Sequence, residues 1–269
     1  MRGPSQIALK NARESLNSVL GGPSVDAARL GEDLLAVSSV VRGSGVLRRN
    51  LADPTREGRD RGKLIDRLFA GRIGDSALEV ARAVAAQRWT VDADLPAAMT
   101  ALGVESVLAH AQQAGRLRTV EDELFRFERI VAGQDELLAA MSDPKAPASA
   151  KTALMQKLLS DKAAPETVRL ATLAVTSFGR FDSEIRDYLQ IAATRLDEVT
   201  AIVTTADALS EAQLDRLEKA LVAQYGKQVH VNVVIDPEVI GGLRVEIGDE
   251  IIEGTISSRL DDARRRLTS

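Results

Sequence analysis

The sequence predicts a mostly α-helical protein that ends in a small α/β domain. Three observations support this fold class: apolar positions repeat at an interval of about 90 residues through the first two thirds of the chain, the hydrophobic period changes near residue 199, and aromatic residues make up only 3% of the composition. Apolar residues recur every three or four positions in a helix and alternate in a half-buried strand. We therefore expect two tandem six-helix bundles followed by a C-terminal domain of strands and helices.

The internal repeat aligns residues 30–103 with residues 120–193 without a gap. Identities are few, but apolar positions mostly meet apolar positions, so the two copies are expected to share their packing roles. The matching pairs are Leu34 and Leu124, Val41 and Val131, Gly43 and Gly133, Leu47 and Leu137, Asp53 and Asp143, Leu64 and Leu154, and Leu68 and Leu158. The repeat predicts a first bundle over 1–103 and a second over 104–198 that meet at Gly103.

Glycine and proline residues divide the second copy into six predicted helices. The predicted spans are 104–114, 118–132, 134–141, 148–160, 165–178 and 182–197. Ser142-Asp143-Pro144 closes the third helix, because the residue before a proline disfavours helical backbone. Pro165 lies in the first turn of the fifth helix, where a missing N–H costs nothing.

The C-terminal domain is predicted over residues 199–269, with a first strand at 198–206. Ser210-Glu211-Ala212-Gln213 resembles an N-capping signature that opens an amphipathic helix. Two alternating runs follow, with Asp236-Pro237 and Gly241-Gly242 as turns between them and a third short strand at 251–252. The first run places Val229, Val231, Val233 and Ile235 on one face of a strand, and the second run places Leu243, Val245 and Ile247 on one face. A last helix over 255–267 would carry Ile256 and Leu260 on its apolar stripe.

The sequence offers no recognisable catalytic chemistry. There is no cysteine, and neither G-x-x-x-x-G-K-[ST] nor G-x-G-x-x-G occurs. His110 and His230 have no partner at metal or triad spacing. We therefore expect no catalytic residue, no metal and no cofactor, and an enzyme with carboxylate-only chemistry is the least favoured interpretation.

Charge and hydropathy exclude two further classes of partner. A net charge of −4 and a pI near 5.4 do not favour nucleic acid, whose phosphates select a strongly basic surface. No uncharged apolar run approaches the roughly 18 residues of a membrane span. The N-terminus lacks the apolar core of a signal peptide, which places the chain in the cytosol.

A basic stripe over residues 42–67 holds eight positive charges. It is interleaved with Asp53, Glu57, Asp60 and Asp66, and it contains no aromatic residue for stacking on bases. The stripe supports only an alternative interpretation of the chain, as a helical scaffold or an RNA-associated adaptor.

The predicted fifth helix of the second copy is unusually apolar. Its polar residues from Glu166 to Ser177 fit within an arc of about 140° at 100° per residue, and Leu173 falls inside that arc. The apolar surface therefore covers most of the circumference of this helix, which indicates either burial on two sides within the chain or a groove for a partner helix.

The stretch over 231–260, VNVVIDPEVIGGLRVEIGDEIIEGTISSRL, resembles the C-terminal signature of the δ subunit of F-type ATP synthases, the family of the oligomycin-sensitivity-conferring protein. Glu253 and Thr255 stand where Asp and Ser are commoner in that family. The resemblance extends back through residues 104–198, which are similar to the family's six-helix bundle. The first copy makes this a long form with a duplicated bundle.

The resemblance implies a non-catalytic subunit of the peripheral stalk, or stator, which couples proton-driven rotation to ATP synthesis. Its expected partners are N-terminal segments of the α subunits at the bundle and the C-terminal helices of the b subunits at the C-terminal domain. A single copy per complex is implied, peripheral to the cytoplasmic face of the cell membrane. The implied partner-binding residues are Val107, Leu108 and Ala111 of the first helix of copy two, Leu170, Leu173 and Val175 of its fifth helix, and Ile256 and Leu260 of the last helix.

Overall fold

A computed structural model describes residues 1, 3–22, 25–143, 145–177, 179–196, 198–226, 228–237, 239, 241–247 and 250–253. Within these ranges the predicted fold class is confirmed, because helices fill the chain up to residue 195 and a four-stranded sheet follows. The helices before the sheet are α1 (Pro4–Leu20), α2 (Ala27–Gly43), α3 (Gly45–Ala52), α4 (Gly58–Phe69), α5 (Asp75–Ala86), α6 (Asp94–Gln113), α7 (Leu117–Ala132), α8 (Asp135–Ser142), α9 (Ala148–Leu159), α10 (Pro165–Thr176) and α11 (Phe181–Arg195).

The internal repeat is visible in the helix bounds. Helices α8, α9 and α10 each begin and end 90 positions after α3, α4 and α5. Single hydrogen bonds repeat at the same interval. The Asp33 carboxylate accepts from the backbone N–H of Gly74 at 2.8 Å, and the Glu123 carboxylate accepts from that of Ala164 at 2.8 Å. The two copies therefore share both their helices and some of the polar contacts that join them.

One predicted boundary is wrong, because α6 runs without a break from Asp94 to Gln113 and contains the predicted helix 104–114 as its second half. Gly103 lies inside this helix. A Cβ built there would lie 2.8 Å from Cγ of Leu35, so the glycine permits the close approach of α2. The helix α6 thus ends the first copy and begins the second.

The chain divides into a compact unit over Met1–Tyr188 and a second unit that begins at Leu189. The first unit contains most of both predicted bundles. In its first copy, fully buried side chains from five helices form one core: Leu16, Leu34, Ile65, Val80 and Leu102. The division into three domains at residues 103 and 198 stays a prediction.

The second unit contains a sheet of order β2-β1-β3-β4, built from β1 (Glu198–Thr205), β2 (Gln228–Ile235), β3 (Leu243–Ile247) and β4 (Glu250–Glu253). Strands β1 and β2 are parallel and joined through α12 (Glu211–Tyr225), whereas β3 is antiparallel to both β1 and β4. The capping box of Ser210 and Gln213 is confirmed. Ala201, Val203, Leu221, Val229, Val245 and Ile247 form the core. Ile235, which the sequence placed on the same face as Val229, is 57% exposed.

None of the described helices has the length and apolar character that crossing a bilayer requires.

Candidate partner-binding site

Helices α6 and α10 carry the six residues that were predicted to bind a partner in the second bundle. Five of them are buried within the chain: Val107, Leu108, Ala111, Leu170 and Val175. Leu173 is partly exposed. Leu173 is therefore the member of the set with accessible surface. Partner binding by these residues stays a prediction.

Helix α2 of the first copy covers much of α6. A Cβ built at Gly31 would lie 3.0 Å from the Gly103 carbonyl oxygen and 3.0 Å from Cγ2 of Val107. The hydroxyl of Ser38 donates to the Pro96 carbonyl at 2.7 Å. Small residues at a helix crossing let the two backbones approach closely, and here they bring α2 against the α6 surface that the sequence assigned to a groove.

Packing within the second copy covers one side of α10, and an ion pair to α2 lies on the other side. One side packs against α6, α7 and α9 of its own copy. On the other side Arg169 donates to both carboxylate oxygens of Glu32 on α2, with Nη2 to Oε2 at 2.7 Å. A cavity of about 190 Å³ lies between α2, α6 and α10, and a second of about 150 Å³ is lined by Leu35, Thr100 and Leu173.

A polar network joins the C-terminal end of α6 to the first turn of α10. The Glu166 side chain is 3% exposed. Its Oε1 lies 2.8 Å from Nδ1 of His110 and accepts from Nη2 of Arg116 at 2.5 Å. Burial alone raises the pKa of Glu166, but hydrogen bonds from Arg116 and His110 and the charge of Arg116 bring it below its usual value. The carboxylate is therefore held ionised inside the protein.

Sequence reasoning missed this network because its members are far apart in the chain. His110 and Glu166 are separated by 56 positions, and Arg169 and Glu32 by 137. A local search for metal or triad spacing examines near neighbours, so it found no partner for His110. The one available signal was the polar arc of α10, which correctly placed Glu166 and Arg169 on a polar side of the helix.

Replacing Glu166 with Gln is expected to lower the free energy of unfolding at pH 7 by about 1–3 kcal/mol, because hydrogen bonds to a charged group are the stronger ones. The pKa of Glu166 is lower in the folded protein than its ordinary 4.5, so its stabilising effect is present above pH 4.5 and is lost as the pH falls through the folded value. Urea unfolding at pH 7, 5 and 3.5 should show that the difference in unfolding free energy between the native protein and the variant becomes smaller as the pH falls.

The exposed Glu79 of α5 provides the control for that measurement. Glu79→Gln should change the unfolding free energy by less than about 0.5 kcal/mol at each pH. A gap for Glu166→Gln that stays constant from pH 7 to 3.5 would contradict the role assigned to its ionised form.

The described residues contain no group of three or more His, Cys, Asp or Glu side chains placed to hold a metal ion.

The basic stripe over 42–67 is largely occupied by internal contacts. Arg61 is 2% exposed and donates to backbone carbonyls of five residues. Arg48 pairs with Asp92 at 2.8 Å, and Lys63 pairs with Asp60 at 2.9 Å. These contacts remove much of the cationic surface on which the scaffold or RNA-adaptor alternative depended.

The two predicted b-subunit contacts, Ile256 and Leu260, lie outside the described residues, as does the whole predicted helix 255–267.

Comparison with known proteins identifies a family. The sequence model of the ATP synthase delta (OSCP) subunit matches residues 104–267. The ATP synthase subunit delta of Kineococcus radiotolerans is 41% identical over 98% of this chain and 97% of its own length. Proteins of the same name from Streptomyces avermitilis and Streptomyces coelicolor are also 41% identical, over 99% and 100% of this chain and 98% and 99% of their own lengths.

A chain in the cryo-EM structure of the Toxoplasma gondii mitochondrial ATP synthase hexamer aligns with 62% of this chain and 95% of its own length, at 14% identity and a TM-score of 0.38. That similarity is too low to carry an argument. The full-length relatives include the first bundle in their alignment, and the family model covers the second bundle and the C-terminal domain. The chain therefore belongs to the ATP synthase δ (OSCP) subunit family.

Proposed function

We propose that this protein is a non-catalytic subunit of the peripheral stalk of an F-type ATP synthase. It links the catalytic head to the b subunits and resists rotation of the head, so that proton flow is coupled to ATP synthesis. The observation that carries the proposal is the 41% identity to ATP synthase δ subunits over 98% of the chain. The protein would act in single copy, peripheral to the cytoplasmic face of the cell membrane.

The second bundle, residues 104–198, is the proposed contact with N-terminal segments of the α subunits. Partial exposure of Leu173 beside buried Leu170 and Val175 supports a contact along α10. Val107, Leu108 and Ala111 would support that surface from beneath, because they are buried. A partner helix with an apolar stripe fits such a surface.

The C-terminal domain, residues 199–269, is the proposed contact with the C-terminal helices of the b subunits, through Ile256 and Leu260. The resemblance of residues 231–260 to the family signature supports this assignment, together with the family match up to residue 267. The first bundle, residues 1–103, is the extra copy of the long form.

Replacing Leu173 with Asp is expected to weaken binding of a peptide from the α-subunit N-terminus about 10- to 100-fold. Burial of a leucine side chain contributes about 1.5–3 kcal/mol, and a carboxylate placed in an apolar contact removes that contribution. Calorimetry with the full-length protein measures the affinity. Proton pumping by the reconstituted synthase should fall in parallel, because a weakened stator lets the head turn with the rotor.

The internal repeat supplies a matched control, since Ala83 occupies the position of Leu173 in the first copy and is also partly exposed. Ala83→Asp should bind the peptide like the native protein. Equal affinity for all three proteins would exclude Leu173 from the contact. A synthase that pumps normally without this subunit would overturn the proposed function itself.

A further inference from the structure

The two copies of the repeat differ most in how tightly their fourth helices are packed. Helices α4 and α9 have the same length and lie 90 positions apart. Four residues of α4 are buried, whereas Met155 is the one buried residue of α9. The additional buried residues of α4 are Arg61, Gly62 and Phe69, whereas the leucines at equivalent positions of the two helices are partly exposed in both.

In the first copy, α4 is sealed against the end of α5. Gly58 of α4 lies so close to the last residue of α5 that a Cβ built on it would be 2.6 Å from the Ala86 carbonyl oxygen. Arg61 closes the same junction, because its Nη2 donates to that oxygen and to the Gln87 carbonyl at 2.8 and 2.9 Å. These two residues leave no room for another molecule between the helices.

In the second copy the equivalent positions hold Ala148 and Lys151. A Cβ at Ala148 does not allow the approach that Gly58 makes. Lys151 is partly exposed, and within the described part of the chain its ammonium group donates to no carbonyl. The leucines Leu154, Leu158 and Leu159 are partly exposed as well. The junction of the second copy therefore lacks both the glycine approach and the buried arginine that close the junction of the first.

The charge around α9 also differs from that around α4. Lys63 pairs with Asp60 and Asp66 pairs with Arg82 in the first copy. Residues 145–162 contain four of the eight lysines of the chain, and the helix itself contains no acidic residue. Among the described residues no carboxylate pairs with Lys145, Lys151, Lys157 or Lys162. This acidic protein thus carries a local basic surface that its own side chains do not neutralise.

We propose that the α9 face, defined as Lys151, Leu154, Lys157 and Leu158, binds an acidic amphipathic helix of another protein chain. Lys151, Leu154 and Leu158 are spaced i, i+3 and i+7, which puts them on one side of the helix. An apolar stripe on the partner covers the leucines, and flanking Asp or Glu side chains pair with the lysines. This contact is additional to those of the proposed function, and only the choice of the partner from the synthase rests on that function.

The composition of the face favours a protein helix over the other anionic partners. Helices that bind membrane surfaces insert a whole apolar face of Trp, Phe or Leu into the boundary of the acyl chains. The α9 face has no aromatic residue, and its leucines are partly buried. Single-stranded nucleic acid also requires aromatic side chains for stacking, and it would leave the leucines without a partner.

Site-specific photo-crosslinking in the assembled synthase tests the proposal. A photoreactive phenylalanine replaces Leu154 in one variant and Leu64, its equivalent in the first copy, in another; both positions are partly exposed. We expect Leu154 to cross-link to a segment of another subunit rich in Asp and Glu, and Leu64 to give no intersubunit product. Equal yields from the two positions, or a product from Leu154 with lipid alone, would overturn the proposal.

Charge reversal provides the second measurement, on the same photoreactive protein. Lys157→Glu should reduce the cross-link yield from position 154 about threefold or more, because exposed ion pairs contribute up to about 1 kcal/mol and repulsion replaces them. Arg67→Glu, the equivalent change on α4, should leave the yield unchanged. A yield that is indifferent to Lys157→Glu excludes the acidic partner. If the synthase still assembles normally when the yield does not respond to Lys157→Glu, only the α9 proposal is rejected and the stator function stands. If the native chain fails to join the complex, the stator function itself is rejected.

Discussion

Replacing Arg61 with Ala is expected to lower the free energy of unfolding by about 3–5 kcal/mol. A hydrogen bond to a charged group contributes about 1.5–3 kcal/mol, and this change removes several at once from buried carbonyls. The guanidinium donates to Asp53 and Arg56 in the loop before α4, and to the carbonyls of Ala85, Ala86 and Gln87 at the end of α5. Without it, the last carbonyls of α5 lose their donors.

The measurement is urea unfolding followed by the fluorescence of Trp89, the one tryptophan of the chain. Its Nε1 donates to the Val84 carbonyl at 3.0 Å, so it reports on the end of α5 directly. Arg61→Lys should recover only part of the loss, because an ammonium group has three donors and no planar fork. Lys151→Ala, at the equivalent position of the second copy, should cost less than about 0.5 kcal/mol. Similar losses for Arg61→Ala and Lys151→Ala would show that the carbonyl contacts are not what stabilises the first copy.

Arg61 also shows where sequence reasoning reaches its limit. It lies in the basic stripe of residues 42–67, and a charge in such a stripe is ordinarily solvated. Its burial depends on carbonyls 24 to 26 positions further along the chain, which local periodicity does not reveal. Burial, followed by the nearby charge of Arg88, lowers the pKa of Arg61. The carbonyl groups compensate for that unfavourable environment.

Features set by local chemistry were predicted well. Pro165 starts α10, the Asp143 turn separates α8 from α9, and the capping box at Ser210 opens α12, each within a residue or two of its predicted place. The four strands lie where the sequence predicted them, and the alternation is clearest in β3, where Val245 and Ile247 are buried on one side. The repeat interval of 90 residues is also present in the structure, because it was predicted from the combined pattern of many apolar positions rather than from any single position.

The candidate site was predicted less completely, for a physical reason. The apolar character of α10 is correct, but a single sequence does not distinguish a helix covered by its own chain from one covered by a partner. Arg169 and Glu32 join α10 to α2 across 137 positions, a contact that a local pattern does not reveal. Leu173 is partly exposed and lines a cavity of about 150 Å³ together with Leu35 of α2.

Replacing Gly103 with Ala is expected to destabilise the protein by about 1–3 kcal/mol. A loss of stability is the informative result, because in the interior of a helix alanine ordinarily stabilises by about 1 kcal/mol relative to glycine. Here the added Cβ would lie 2.8 and 2.9 Å from Cγ and Cδ2 of Leu35 and 3.3 Å from the Gly31 carbonyl oxygen. Overpacking at the crossing of α2 and α6 therefore outweighs the gain in helix propensity.

Gly43, the last residue of α2, is the matched control, because a Cβ there would meet no atom within 4 Å. Gly43→Ala should be neutral or stabilise by up to about 1 kcal/mol. A double-mutant cycle with Leu35→Ala separates the causes, since the truncated leucine makes room for the new methyl group and the two losses should not add. If the chain broke at Gly103, as its sequence suggests, alanine there would be harmless and uncoupled from Leu35. A destabilising Gly103→Ala that is coupled to Leu35→Ala would instead show that α2 packs directly against Gly103 of α6.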